Sequence, residues 1–327
     1  MSSERVIKWG IIGCGKIAHK FAEDLLTIPS AKLHAVASRS TKKASDFGAI
    51  YNAAIFYDNY EALSKDPEID IIYIATPHTL HYQNTIMCLT NKKAVLCEKP
   101  FAMNANQVEQ MIIAAQQNKV FLMEALWTYF LPHYRYVLDK IESKELGKVK
   151  ALKADFGFAS AFNPDSRVFN KKLGGGSLLD VGIYPLFAAL TILGYPEKIN
   201  AHATFGKTAV DETCTMQLHY KNGVTASLFS AINQKTNTEA IITLENGTII
   251  INSRFHEPSS VTIKKEGKSE HIEFEAPTNG YSFEAIHAQE MILQNRIEST
   301  IMTFEKSRQL IQLLDTVREK INLTYNN

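Results

Sequence analysis

Apolar and polar positions along this chain follow two different rhythms. Up to about residue 125, short apolar runs alternate with helical stripes. Strand-type runs occupy Val6–Ile12, Lys32–Ser38, Ala54–Tyr57, Ile69–Ala75, Ala94–Cys97 and Val120–Ala125. Between several of them apolar residues return every three or four positions, the spacing of one helix face. The clearest stripe is Val108, Met111, Ile112 and Ala115 within Asn104–Asn118, with Asn104 placed to cap its start. Such alternation predicts a doubly wound parallel sheet with right-handed crossovers.

Beyond residue 125 the rhythm changes. A helical stretch, Tyr134–Ser143, leads through Leu146-Gly147 into a strand-type run, Val149–Phe158. Turn signals then divide period-two runs. Lys221-Asn222-Gly223 separates Thr213–Tyr220 from Val224–Ser230. Glu245-Asn246-Gly247 separates Ala240–Leu244 from Thr248–Asn252, and Glu266-Gly267 separates Ser260–Lys264 from His271–Glu275. Asn-Gly between β-rich runs is a strong hairpin signal. Two helical patterns close the chain, Ser282–Gln294 and Thr303–Lys320; in the last, Leu310, Ile311, Leu314 and Val317 share a face. The expected fold is α/β: a doubly wound parallel domain over residues 1–125, then an α+β domain over 126–327 with a large, mostly antiparallel sheet. The last helix is a candidate to pack back on the first domain.

The turn after the first strand carries the sharpest chemistry. Val6-Ile7-Lys8-Trp9-Gly10-Ile11-Ile12 meets Gly13-Cys14-Gly15-Lys16-Ile17-Ala18. Gly13 permits a tight exit from the strand, Gly15 lets the backbone approach a pyrophosphate, and Ala18 keeps the helix close to the strand. The helix start then offers free N–H groups and a partial positive charge to phosphates. Ile17, Phe21 and Leu25 fall on one helix face, with Lys16, Lys20, Glu23 and Asp24 on the others. In this context the turn reads as the Rossmann dinucleotide fingerprint; a glycine-rich turn of another α/β protein is the plainer alternative.

The residue ending the second strand selects between coenzymes. Here Val36-Ala37-Ser38-Arg39-Ser40 is followed by Lys42 and Lys43, and no acid occurs before Asp46. Ser38 and Arg39 favour the 2′-phosphate of NADP(H), with NAD(H) as the second possibility. Charge adds little: Lys plus Arg is 35 and Asp plus Glu 34, a formal net charge of +1, which gives no nucleic-acid footprint. Cys14, Cys88, Cys97 and Cys214 have no metal-ligand spacing, and Cys14 and Cys97 lie in buried-type segments. Met1–Arg5 has no apolar signal core behind it, and no run is read as long enough to cross a membrane. A reduced, cytoplasmic setting is expected.

Two further segments end parallel strands, where ligands of open α/β sheets bind. One is Ala75-Thr76-Pro77-His78-Thr79-Leu80-His81. Thr76, Pro77, His78 and His81 are candidates to line the coenzyme, or the histidines simply cap the loop. The other is Cys97-Glu98-Lys99-Pro100. Lys99 is placed to hydrogen-bond a substrate hydroxyl and to lower the pKa of a neighbouring acid–base group. A cis bond before Pro100 would suit a tight turn. A third segment runs Leu173-Gly174-Gly175-Gly176-Ser177-Leu178-Leu179-Asp180-Val181-Gly182-Ile183-Tyr184-Pro185, where Ser177 or Asp180 starts a helix. Asp180 and Tyr184 are four apart and share a helix face. Tyr184 reads either as an acid–base phenol or as a core aromatic.

Three segments together, Gly13-Cys14-Gly15-Lys16-Ile17-Ala18, Cys97-Glu98-Lys99-Pro100 and Gly175–Tyr184, resemble the glucose–fructose oxidoreductase/inositol dehydrogenase family, over essentially the whole chain. Phe121-Leu122-Met123-Glu124-Ala125-Leu126-Trp127-Thr128 and Gly182-Ile183-Tyr184 resemble its dihydrodiol and xylose dehydrogenase branch. The resemblance implies an NADP-dependent dehydrogenase acting on an aldose sugar or cyclic trans-diol. It implies that Lys99 and Tyr184 are catalytic, with Asp180 beside them, and that Trp127, Phe158 and Arg167 line the substrate pocket. Glu98 and Lys99 join the coenzyme contacts, as do Lys16 and Ile17. Many sugar and inositol members carry His at the Tyr184 position, which disfavours an inositol-type substrate. The implied reaction is hydride transfer between nicotinamide C4 and a carbinol carbon, with Tyr184 taking the hydroxyl proton and Lys99 orienting the hydroxyl. A homodimer or dimer of dimers through the second sheet is expected. Two other functions fit the same scaffold: a non-catalytic NADP(H)-binding regulator and a reductase of another carbonyl or an imine.

Overall fold

A computed structural model describes residues 5–325, so most of the segment read as lacking a signal core, Met1–Glu4, lies outside the described residues. The chain forms two compact units. One comprises residues up to Trp127 with Ala276–Arg308; the other comprises Thr128–Glu275 with the chain from Gln309 onward.

In the first unit β1 (Ile7–Ile12), α1 (Lys16–Leu25), β2 (Ala31–Ala37), α2 (Thr41–Tyr51), β3 (Ile55–Tyr57), α3 (Tyr60–Lys65), β4 (Ile71–Ile74), α4 (His81–Thr90), β5 (Ala94–Glu98), α5 (Ala105–Asn118) and β6 (Leu122–Ala125) follow in turn. The strands pair in parallel in the order β3-β2-β1-β4-β5-β6. Every residue of β4, β5 and β6 is buried, which is why these runs read as continuous rather than alternating. Asn104 caps α5 as expected, accepting from the Gln107 amide at 2.9 Å. Strand order reverses between β1 and β4, and the carboxyl ends there open the crevice in which such sheets bind ligands.

The second unit begins with α6 (Pro132–Glu142) and β7 (Val149–Gly157), then α7 (Ile183–Leu193). β8 (Lys198–Phe205), β9 (Asp211–His219), β10 (Thr225–Ala231), β11 (Ala240–Leu244), β12 (Gly247–Ile251), β13 (Val261–Lys265) and β14 (Lys268–Ile272) follow. With β7 they make an eight-stranded sheet, β14-β13-β12-β11-β7-β10-β9-β8. Its ladders are antiparallel except that of β7 with β10, which is parallel. The hairpin turns fall where Asn-Gly and Glu-Gly stood in the sequence. At Glu266 and Gly267 both φ angles are positive (50° and 72°), the two-residue turn that matches strand twist. That turn starts β14 at Lys268, three residues earlier than the expected His271. β8 was not anticipated: as an edge strand in which only Ile199 is buried it needs few apolar residues.

α7 corrects another expectation. The helical run Lys171–Leu193, which ends in α7, is long and apolar enough to cross a membrane, but its apolar part is mostly buried, the environment of a core helix. Ile183 to Leu190 are all buried. The last elements are α8 (Tyr281–Leu293), in the first unit, and α9 (Phe304–Lys320), on which Leu310, Ile311, Leu314 and Val317 are buried. α8 corrects the reading of Asp24 as a polar-face residue. Asp24 is only 2% exposed, and its carboxylate accepts from the amides of Asn279 (2.9 Å), Tyr281 (2.7 Å) and Ser282 (3.2 Å) at the start of α8. A carboxylate on α1 thus caps a helix some 255 residues downstream, satisfying amides that no side chain of α8 itself reaches.

Candidate active site

The glycine turn leaves β1 with Gly13 at φ +97°, its amide donating to Ala37 O at 2.9 Å. A Cβ there would stand 2.8 Å from Ala75 O, so the turn lies directly on the end of β4. Gly15 is different. Its φ of −93° suits any residue, and a Cβ would meet no protein atom within 4 Å. Neither strain nor crowding inside the protein requires glycine at this position. The open space faces the start of α1, whose first turn has no side-chain cap and no acid. That is a cradle for an anionic group, and a dinucleotide pyrophosphate fits it. Lys16 is exposed and Ile17 half-buried on the first turn of α1. Cys14 is half-buried rather than buried, and its thiol donates to Ala37 O at 3.7 Å.

At the tip of β2, Ser38 is buried and Arg39 exposed. Burial raises the pKa of the Tyr60 phenol, and the charge of the nearby Arg39 guanidinium offsets part of that rise. Ser40 accepts from the Lys43 amide at 3.4 Å and caps α2, while Asp46 is paired with Lys42 at 2.7 Å.

After β4, Thr76 and His78 are buried and Pro77 is half-buried. His81 is wholly buried, with its ring nitrogens 2.8 Å from Thr76 O and 2.8 Å from Pro100 O. It therefore ties the loop after β4 to the loop after β5. The Asn84 amide also donates to the Thr76 hydroxyl at 3.2 Å. At the second loop the Lys99–Pro100 bond is cis. Lys99 is half-buried, and its backbone amide donates to the Glu98 carboxylate at 3.2 Å. The Tyr73 hydroxyl donates to the same carboxylate.

Further acids to which the sequence reading gave no role surround this corner. Glu124 on β6 accepts from the Phe101 amide at 3.0 Å, and burial lifts its carboxyl to about 7. Glu284 on α8 is wholly buried, and burial with the nearby charges of Glu98 and Asp24 holds it well above the usual carboxyl range. Trp127, in the turn after β6, is 5% exposed and stacks on Tyr281 of α8, with ring centroids 4.2 Å apart and planes 3° from parallel.

The second unit holds the remaining candidates. Leu178–Gly182 is a wide π-helical turn that runs into α7 at Ile183. Asp180 lies in this turn and Tyr184 in the first turn of α7, so the pair straddles a change of helix type. An ordinary α-helix was expected throughout; π turns inside helices recur at functional sites. Arg167 donates to Asp180 Oδ2 at 2.9 Å. Tyr184 is 6% exposed, with its ring 5.6 Å from that of Phe156 and 4.9 Å from that of His256. Phe156 and His256 stack on each other at 4.0 Å, and the His256 carbonyl accepts from Thr128 Oγ1 at 2.6 Å. Neither neighbour was named from the sequence. His256 stands in a loop with no motif, and Phe156 alternates along β7 with no mark of its own. Phe158 packs instead against the buried cluster of Phe169, Val210 and Ile232.

Comparison with known proteins agrees with this geometry. Residues 7–126 match the model of an oxidoreductase family with an NAD-binding Rossmann fold, and residues 134–250 match the GFO/IDH/MocA C-terminal domain. The trans-1,2-dihydrobenzene-1,2-diol dehydrogenase of Xenopus laevis is 38% identical over 97% of this chain and 99% of its own. The scyllo-inositol 2-dehydrogenase (NADP(+)) IolU of Bacillus subtilis is 32% identical over 98% of each. The crystal structure of KijD10, a 3-ketoreductase from Actinomadura kijaniata in complex with NADP and TDP-benzene, superposes with a TM-score of 0.88 at 26% identity. It covers 97% of this chain and 98% of that one. A parallel sheet of Rossmann order, an open phosphate cradle and near full-length similarity lead to one conclusion: the chain belongs to the Gfo/Idh/MocA family of NAD(P)-dependent oxidoreductases.

Proposed function

We propose that this protein reversibly oxidises a hydroxyl of an aldose sugar or a cyclic trans-diol, with NADP(H) as the preferred coenzyme. The observation that carries the reading is a continuous set of contacts in the first unit. The glycine turn rests on Ala75, and His81 links Thr76 to Pro100, so Lys99 is anchored to the coenzyme turn through two loops. A lysine held there serves a reaction at the coenzyme rather than the solvent. The names of the similar proteins support the diol class, a dihydrodiol for one and an inositol for another, the latter against the expectation that Tyr184 disfavours an inositol.

The nicotinamide supplies the hydride chemistry when bound. The chain supplies placement and protons. Gly13, Gly15 and the start of α1 hold the pyrophosphate; Lys16, Ile17, Thr76, Pro77 and His78 border it. Ser38 and Arg39 receive the 2′-phosphate, and no carboxylate competes at the tip of β2. His81 and Glu98 shape the same pocket from behind. Lys99 donates to the substrate oxygen and stabilises negative charge there, and Tyr184 takes the hydroxyl proton. Asp180, held by Arg167, orients the substrate. Trp127 and Arg167 line it, Phe156 and His256 confine the Tyr184 ring, and Phe158, packed on its own cluster, is left out of the pocket.

The four cysteines are free thiols, which suits a cytoplasmic enzyme. A homodimer forms through the face of the second sheet away from α7, where Thr215, Gln217, Ser227, Phe229 and Ile241 are left partly or fully exposed.

The test is Tyr184→Phe, assayed by NADPH absorbance against aldoses, inositols and cyclic trans-diols. The variant is expected to bind NADPH normally and lose about 10²-fold or more in kcat, the range of one acid–base group. Near-normal turnover removes the tyrosine from the mechanism. NADPH binding with no turnover of any panel member by the wild type favours a non-catalytic regulator or a reductase of another carbonyl or an imine.

A further inference from the structure

We propose that Asp211 and Tyr325 are positioning residues that hold the turn bearing Asp180 and Tyr184 in its working conformation. The inference rests on the catalytic reading of Tyr184 given above and concerns only the second unit.

Asp211 begins β9 and is wholly buried. Its Oδ2 accepts from the Ser177 hydroxyl at 2.8 Å and from the Leu178 amide at 2.7 Å. Leu178 opens the π turn, so a strand residue 33 positions downstream caps it from outside. Ser177 Oγ also lies 3.0 Å from Ser230 Oγ on β10. The same two residues press on the turn at both ends. At Gly176, φ +122°, a Cβ would stand 2.1 Å from Asp211 Oδ1; at Gly182 it would stand 2.9 Å from Ser230 Oγ. Tyr325 completes the clamp. Its hydroxyl donates to Gly175 O at 2.7 Å, and the Arg318 guanidinium lies 5.8 Å from its ring centroid. The Gly174–Gly176 run is thus a strap that Asp211 and the end of the chain hold down.

Capping alone does not explain a carboxyl group here. Asp211 Oδ1 is buried without a hydrogen-bond partner, a costly state that a neutral serine cap would avoid. Burial lifts the group to about 7 even though its bonds to Ser177 and Leu178 favour the charged form. The groups facing it are Tyr325 from the C-terminal segment and Cys214 from β9. Burial raises the pKa of each, and the charge of Asp211 adds to the effect. Asp180 and Arg318 act on Tyr325 in opposite senses. Ionisation of Asp211 near neutral pH therefore changes the charge on the cap of the turn that carries the candidate acid–base residue.

The test compares Asp211→Ala, Asp211→Asn and Tyr325→Phe with wild type and with Tyr184→Phe, using the panel substrate that wild type turns over best. Asp211→Ala is expected to lose about tenfold in kcat, because small misplacement of reacting groups is costly. Its KM for NADPH stays near wild type, since the coenzyme residues belong to the other unit. Asp211→Asn keeps an acceptor for Ser177 and Leu178, so it restores most of the kcat and abolishes an inflection near pH 7 in the wild-type kcat profile. Tyr325→Phe lowers kcat in the same direction as Asp211→Ala. Wild-type kcat in Asp211→Ala and Tyr325→Phe, or an unchanged pH profile in Asp211→Asn, overturns the proposal. If Asp211→Ala fails to bind NADPH because it does not fold, the other two variants decide. An active Tyr184→Phe overturns the catalytic reading itself. An inactive Tyr184→Phe beside a fully active Asp211→Ala overturns only the positioning role.

Discussion

Replacing Gly15 with alanine should separate coenzyme binding from stability. The added Cβ meets no protein atom within 4 Å, and φ −93° accommodates it. Restricting the unfolded chain contributes about 0.4–1 kcal/mol in favour of folding. Alanine is a poorer cap for α1 than glycine by some tenths of a kcal/mol, which offsets part of that gain. The coenzyme-free variant should therefore unfold within about 2–4 °C of wild type. Binding should respond differently, because the new methyl enters the space assigned to the pyrophosphate. Forcing a group into a close contact costs about 1–3 kcal/mol, a factor of about 5–150 in Kd. Gly13→Ala provides the contrast. At φ +97°, with Ala75 O 2.8 Å from the new Cβ, alanine adds about 1–2 kcal/mol of backbone strain before any displacement of β4. That variant should lose melting temperature and affinity together. Calorimetry without coenzyme and fluorescence titration with NADPH measure the two quantities. A Gly15→Ala protein that binds NADPH as tightly as wild type would show that the phosphates lie elsewhere.

Arg39→Asp should raise KM for NADP⁺ about tenfold or more relative to that for NAD⁺, through loss of a charge-assisted pair; an unchanged preference would remove Arg39 from coenzyme selection. Glu124→Gln tests a buried acid by its pH dependence. Burial holds the folded carboxyl at about 7, above its ordinary value, so the folded state binds the proton more tightly than the unfolded chain. The wild type is therefore most stable below the unfolded value and loses up to about 3 kcal/mol as pH rises through 7. Glutamine keeps an acceptor for the Phe101 amide, so the variant's advantage in melting temperature should grow between about pH 5 and pH 8; a constant difference would contradict the assignment. Asp24→Ala should destabilise the first unit by about 2–4 kcal/mol, because the buried amides of Tyr281 and Ser282 lose a charged acceptor. Hydrogen exchange of those amides as slow as in wild type would refute this.

The strands and helices of the parallel sheet were legible because their signals are local. Gly13 and Gly15 punctuate one turn, Asn104 caps one helix, and Val108, Met111, Ile112 and Ala115 mark one face. The hairpins were legible for the same reason, since Gly267 and its neighbour supply the positive φ that the turn needs. β8 was not legible, because an edge strand exposed along most of its length carries little apolar pattern. The π turn was not legible either, because Asp180 and Tyr184 suit an α-helix equally well by spacing. Asp211 falls before the expected strand Thr213–Tyr220 and carries no motif, and only its bonds to Ser177 and Leu178 show its relation to the turn.

By itself the sequence determined that a dinucleotide turn leads a parallel domain and that an antiparallel sheet follows; Lys99 stood out by its place at a strand end, and Tyr184 by resemblance to a family. These rest on short-range rules of backbone conformation and on motifs a few residues long. Only the tertiary structure decided which polar residues are withdrawn from water and what meets them. Asp24 reads as surface on α1 yet is the cap of α8; His256 has no motif yet borders the Tyr184 ring. Glu124 and Glu284 look like ordinary acids, yet burial raises their pKa values. The physical reason is common to all four. Desolvation and long-range hydrogen bonding depend on what the folded chain brings alongside a residue, and its sequence neighbours carry no record of that.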